Sequence, residues 1–136
     1  MFKKLFYWGL TAGILSAVVS LIYHRIFQFS YTMDGMPDYS RLINIPVLVA
    51  VNIGVCMMAA IACWGTILLF KTKAELVFNL LFAIISFGSI AYPISVKLPL
   101  DIQMPEFFPL LAIPLHFFPI IAWLILRPLF AKSVYE

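Results

Sequence analysis

Four runs of apolar residues, each about the length of a membrane-crossing helix, take up most of this chain and leave little else from which to build a fold. A bilayer-spanning helix needs about 20 mostly apolar residues, and Leu5–Tyr23, Ile45–Phe70, Leu76–Val96 and Phe107–Leu126 all qualify. Charges and prolines set their edges. Lys3 and Lys4 precede the first run, Lys71-Thr72-Lys73 divides the second from the third, and Arg127-Pro128 closes the fourth. Apolar residues make up 64% of the chain and charged residues 11%, against roughly 45–50% and about 25% in soluble domains. That is too little polar surface to enclose a core in water. The sequence therefore predicts a single all-α domain over residues 1–136, a polytopic membrane four-helix bundle with four transmembrane helices and outer loops at 24–44 and 97–106.

An even number of spans places both termini on one side, and the Lys/Arg bias chooses which side faces the cytoplasm. Lys3, Lys4, Lys71, Lys73, Arg127 and Lys132 lie on the terminal side, whereas Arg25, Arg41 and Lys97 share the other with Asp34, Asp38, Asp101 and Glu106. Both termini are expected in the cytoplasm, with the chain in the plasma membrane, the inner membrane of a bacterium. The net charge of +3 is then a topogenic bias, and no nucleic-acid partner is implied. Val18-Val19-Ser20 is a poor cleavage site for a signal peptide, so the first span is expected to stay attached.

In the first outer loop Phe27, Phe29 and Tyr31 alternate with Gln28, Ser30 and Thr32, a period-two pattern that predicts a short strand at the interface. Met33-Asp34-Gly35 and Met36-Pro37-Asp38 read as turns. The second outer loop, with Pro99 and Pro105 around Asp101, should be extended. Both are expected to cap the bundle in the aromatic headgroup belt, the alternative being a surface for a partner.

Helices in lipid associate through small residues and interhelical hydrogen bonds, and each run carries a line of them. Gly9, Gly13, Ser16 and Ser20 recur at steps of four, three and four in the first run, with a GxxxG at Gly9–Gly13. Asn52, Cys56, Ala59 and Cys63 repeat those steps in the second, and Thr66 continues them. The third run offers Asn79, Ala83 and Ser86 beside Ser89 and Tyr92; the fourth offers Ala112, His116, Pro119 and Trp123. Packing within one bundle is expected, with self-association through Gly9 and Gly13 as the alternative.

Pro109, Pro114 and Pro119 stand five residues apart in the fourth run. Each interior proline lacks a donor and crowds the carbonyl four residues earlier, so a bend is expected. Neighbours should supply new donors to the carbonyls of Leu110 and Leu115. His116 sits between these breaks, and an ionisable residue inside a membrane is a site candidate. At 1.5 Å per residue it lies about 13 Å below the outer end of its run, and Asn52 and Ser89 about 10 Å below theirs. Asn52, Ser89, Tyr92 and His116 are accordingly the candidate ligand-binding residues. A neutral His116 bonded to Asn52 or to a freed carbonyl is the competing reading.

No catalytic order of Ser, His and Asp and no phosphate loop can be read. Cys56 and Cys63, about 10 Å apart along one helix, exceed the roughly 7 Å reach of a disulfide and serve as small buried residues. No cofactor is expected: haem would want two facing histidines, His24 lies at the margin of its span, and zinc-ligand spacing is absent. Small multidrug transporters have similar size and four spans, but their pattern relies on a glutamate in the first span that this chain lacks. With its short basic inner loop, the Ser-x-x-x-Pro at Ser89–Pro93 and a histidine in the last span, the chain resembles families of small uncharacterised four-span bacterial membrane proteins. That resemblance implies no activity. The first functional reading is a non-enzymatic accessory or structural subunit, alone or beside a larger membrane protein, with lipid as its constant partner. The second is a small carrier or apolar-ligand-binding protein with a polar site in the outer half of the bundle. A cavity at the four candidate residues would favour the second.

Overall fold

The computed structural model describes residues 2–32, 39, 42–99 and 104–135. Among these the architecture is all-helical: α1 (Phe2–Thr32), α2 (Ile45–Phe70), α3 (Ala74–Ser89), α4 (Ala91–Ser95) and α5 (Phe108–Tyr135), with 3-10 turns at Lys71–Lys73 and Pro105–Phe107. Three helical stretches are long and apolar enough to cross a membrane, Phe2–Ser30, Ile45–Ser95 and Pro105–Phe130.

The second stretch, 51 residues long, is interrupted at Lys71, where φ of 47° and ψ of −109° turn the backbone out of the helical path. Beyond that turn α3 runs back along α2, so that Ser86 and Ser89 near its end share a cavity wall with Val47 and Asn52 near the start of α2. Pro93 accounts for the break between α3 and α4. It has no N–H to give the Ser89 carbonyl, and the helix restarts at Ala91 with Pro93 in its first turn, where no intrahelical donor is required. Pro46 similarly occupies the first turn of α2.

One end of the molecule gathers the start of α1, the end of α2, the start of α3 and the far part of α5. There Phe2 meets Trp64 edge-on with ring centroids 5.5 Å apart, and Arg127 forms an ion pair with Glu75. Trp8 stacks on Trp123 at 4.2 Å while its indole N–H donates to the Trp123 carbonyl at 3.1 Å. Around that pair lies a core of Leu5, Ala12, Cys56, Ala60, Cys63 and Phe78. A second core at the opposite end joins Phe27, Leu48, Phe108, Leu111 and Leu115. Tyr39 closes it, 2% exposed, with its ring against Phe27 and Phe108 and its hydroxyl donating to the Met104 carbonyl.

The small residues of α1 are spent on α2. A Cβ at Gly9 would stand 2.8 Å from the Ala60 Cβ and the Cys56 carbonyl oxygen, and one at Gly13 would stand 2.8 Å from the Ile53 Cα. The two backbones therefore approach as closely as the absence of side chains allows. Ser16 and Ser20, both fully buried, continue the contact, each donating to the Asn52 side-chain oxygen. Cys56, Ala59 and Cys63 are buried as well, and the two cysteines are thiols that form no disulfide.

Two expectations are corrected. The alternating segment Phe27–Thr32 is not a strand; α1 continues through it to Thr32, because no proline or glycine stands between Gly13 and Thr32 and because Tyr23 and Phe27, one helical turn apart, pack on Phe118 and Tyr39. Arg127-Pro128 does not end the last helix, which runs on to Tyr135. Pro114 and Pro119, the residues at which a bend is expected, both lie within α5, which stays one uninterrupted helix. The turns expected at Met33–Asp38 lie outside the described residues.

How α5 tolerates Pro114 is visible in its neighbour: the Tyr23 hydroxyl of α1 donates to the Leu110 carbonyl at 2.8 Å, the acceptor that the missing Pro114 N–H leaves open. Tyr23→Phe should therefore lower stability in detergent by about 1 kcal/mol. In a Pro114→Ala background, where the helix supplies its own N–H, the same change should cost markedly less. Equal costs in the two backgrounds would show that the tyrosine does not compensate for the proline.

Candidate functional site

Between α2, the α3–α4 arm and α5 lies a cavity of about 450 Å3, at the end of the molecule closed by Tyr39. All four residues singled out from the sequence, Asn52, Ser89, Tyr92 and His116, line it. Its inner wall consists of the buried side chains of Leu48, Phe82, Ser86, Phe108, Ala112 and Leu115, whereas Val47, Val51, Ile85 and Tyr92 at its rim are all more than half exposed. The cavity thus opens sideways, on the apolar outer surface of the helices. Among the described residues, no charged side chain lines it.

The four residues share this space without bonding to one another. Asn52, 2% exposed, accepts from Ser16 and Ser20 through Oδ1, the Ser20 contact measuring 3.2 Å, and donates through Nδ2 to the Leu48 carbonyl at 2.8 Å. It ties α1 to α2 and shows only part of itself to the cavity. His116 does not reach Asn52 and does not take a carbonyl freed by proline. Its Nδ1 lies 2.7 Å from the carbonyl of Ala112 on its own helix, and since a carbonyl only accepts, Nδ1 carries the proton. Ser89 donates to the Ser86 carbonyl at 2.7 Å. Tyr92, 67% exposed, stands at the rim.

Sequence reasoning placed these side chains at one depth but missed the apolar walls, which come from three helices at once. Val47, Val51 and Val55 recur every fourth residue on the cavity face of α2, a stripe indistinguishable in sequence from any lipid-facing one. Small side chains at Ser86, Ser89 and Ala112 supply the room. At the base of the cavity the Cys56 thiol donates to the Pro119 carbonyl at 3.8 Å.

A second space, about 310 Å3, is lined by His24, Arg25, Gln28 and the start of α2 at Asn44–Pro46. His24, expected at the margin of the first span, is 1% exposed. Among the described residues no three His, Cys, Asp or Glu side chains converge as a metal site would need. No protein-family model, curated protein or solved structure matches this chain, so its own helices and cavity are the only guide to what it does.

Proposed function

We propose that this chain is a non-enzymatic protein of the plasma membrane, crossing it four times with both termini in the cytoplasm, that binds an apolar molecule of the bilayer in the cavity between α2, α3 and α5. The carrying observation is the cavity itself: it is apolar-walled, holds a few polar groups, opens onto an apolar outer surface of the helices, and falls in the roughly 300–1,000 Å3 range of small-molecule sites. It separates this reading from that of an accessory subunit, for which a filled interior would serve equally well. Four crossings are supported by length, since a straight 51-residue helix would extend about 77 Å where the hydrocarbon core is about 30 Å thick. The cytoplasmic assignment is supported by Lys3, Lys4, Lys71, Lys73 and Arg127 at one end.

Occupancy is tested with a phosphatidylcholine bearing a diazirine on its acyl chain, incorporated with the protein into nanodiscs. Photolabelling should concentrate on residues 47–55, 82–92 and 108–119 and should drop several-fold when Val51→Trp closes the rim. Labelling spread evenly over all outward faces and indifferent to Val51→Trp would overturn the binding reading.

Orientation is tested in a background lacking Cys56 and Cys63. A cysteine replacing Ser133 should react with an impermeant maleimide only in opened cells, and one replacing Ser40 should react in intact cells. The reverse pattern would invert the topology.

A further inference from the structure

The hydrogen bonds already made around the cavity determine what a ligand must bring. His116 has its Nδ1 proton committed to the Ala112 carbonyl, and a neutral imidazole that donates through one nitrogen keeps the other as an acceptor. Ser89 has committed its hydroxyl proton to the Ser86 carbonyl, which leaves its oxygen lone pairs open. Asn52 has used both acceptor positions and one N–H, so a single amide donor remains. The unused capacity is thus mainly accepting, with one donor beside it. With no lysine or arginine among the described residues of the walls, an ionised carboxylate or phosphate head would find no opposite charge on them, at a cost that ordinarily keeps bare charges out of such spaces.

Depth sharpens the requirement. Ser89 stands six residues before the end of α4 and His116 eight after the start of α5, which places both about 10 Å inside the helix ends at 1.5 Å per residue. A polar head at that depth in plain lipid would lose its hydrogen bonds, and the cavity restores them.

From this we propose that the occupant is a long-chain alcohol of the membrane, a lipid whose polar head is an uncharged hydroxyl that donates its one proton to the His116 or the Ser89 acceptor and whose aliphatic body lies along the valine rim. This rests on the cavity being a binding site and goes further by naming the head group. A hydroxyl both gives and takes a hydrogen bond; an ether only takes, so bound as deeply it would leave the acceptors bare.

The test is competition against the photolabel described above, in phosphatidylcholine nanodiscs holding the full chain, with unlabelled hexadecanol or its methyl ether as competitor. Hexadecanol should suppress cavity labelling at about a tenfold lower mole fraction than the ether. His116→Phe, which keeps an aromatic ring of similar bulk and removes the acceptor, should erase most of that difference while leaving competition by the ether in place. Equal competition by the two compounds in the unmodified protein would overturn the hydroxyl assignment and leave the cavity reading standing, provided labelling still responds to Val51→Trp. Absence of any Val51→Trp-sensitive labelling would remove both. The comparison of competitors needs no variant, so it remains decisive even if His116→Phe fails to fold.

Discussion

Replacing Gly13 with leucine should destabilise the protein in detergent by about 3 kcal/mol or more, the upper end of what overpacked interiors cost. The reason is geometric. A Cβ alone would fall 2.8 Å from the Ile53 Cα, and because that atom is backbone, no rotamer change can make way; α1 and α2 would have to separate. Their separation would also pull Ser16 and Ser20 from Asn52. Gly54→Leu on α2 is the control, since a Cβ there meets nothing within 4 Å. It should be neutral or stabilising by up to about 1 kcal/mol, the helix-propensity gain of losing a glycine. Thermal unfolding followed by tryptophan fluorescence separates the two, with Trp8 and Trp123 stacked in the core that α1 helps to form. Similar melting temperatures for both variants would mean that the helices are not so closely apposed.

Asn52→Leu should cost about 1–2 kcal/mol by the same measurement. One side-chain oxygen serves two hydroxyls from α1, and interhelical hydrogen bonds in membranes average about 0.6 kcal/mol with a maximum near 1.7. The loss is bounded because an orphaned serine can turn back to a carbonyl of its own helix. In a Ser16→Ala, Ser20→Ala background most of that cost should disappear. If Asn52→Leu were harmless with both serines present, the asparagine would be acting only as a wall of the cavity.

The division between what was legible in the residues and what was not follows the reach of each interaction. Helical class, the long apolar stretches and the buried line Gly9, Gly13, Ser16 and Ser20 all depend on neighbours three or four residues apart, a spacing written directly in the chain. The reversal at Lys71–Lys73 was legible for the same reason, as a short polar break between two apolar runs. Local pattern also misled. Six alternating residues at Phe27–Thr32 suit a strand, yet the uninterrupted helix continues through them and brings Phe27 onto Tyr39, in one core with Phe108.

Partners across helices were decided only in three dimensions. Periodicity states which face of a helix is special and says nothing about which neighbour it meets. A bond from His116 to Asn52 was therefore one open reading, whereas the Asn52 bonds go to α1 and to Leu48 of its own helix, and nothing in the sequence linked Tyr23 to the carbonyl opened by Pro114, 87 residues away from Tyr23 at Leu110. The cavity belongs to the same class. Its volume is the space left between three helices, set by how far α2, α3 and α5 stand apart where Ser86, Ser89 and Ala112 are small. Each of those residues is ordinary on its own helix; only the packing of the helices makes a chamber of them.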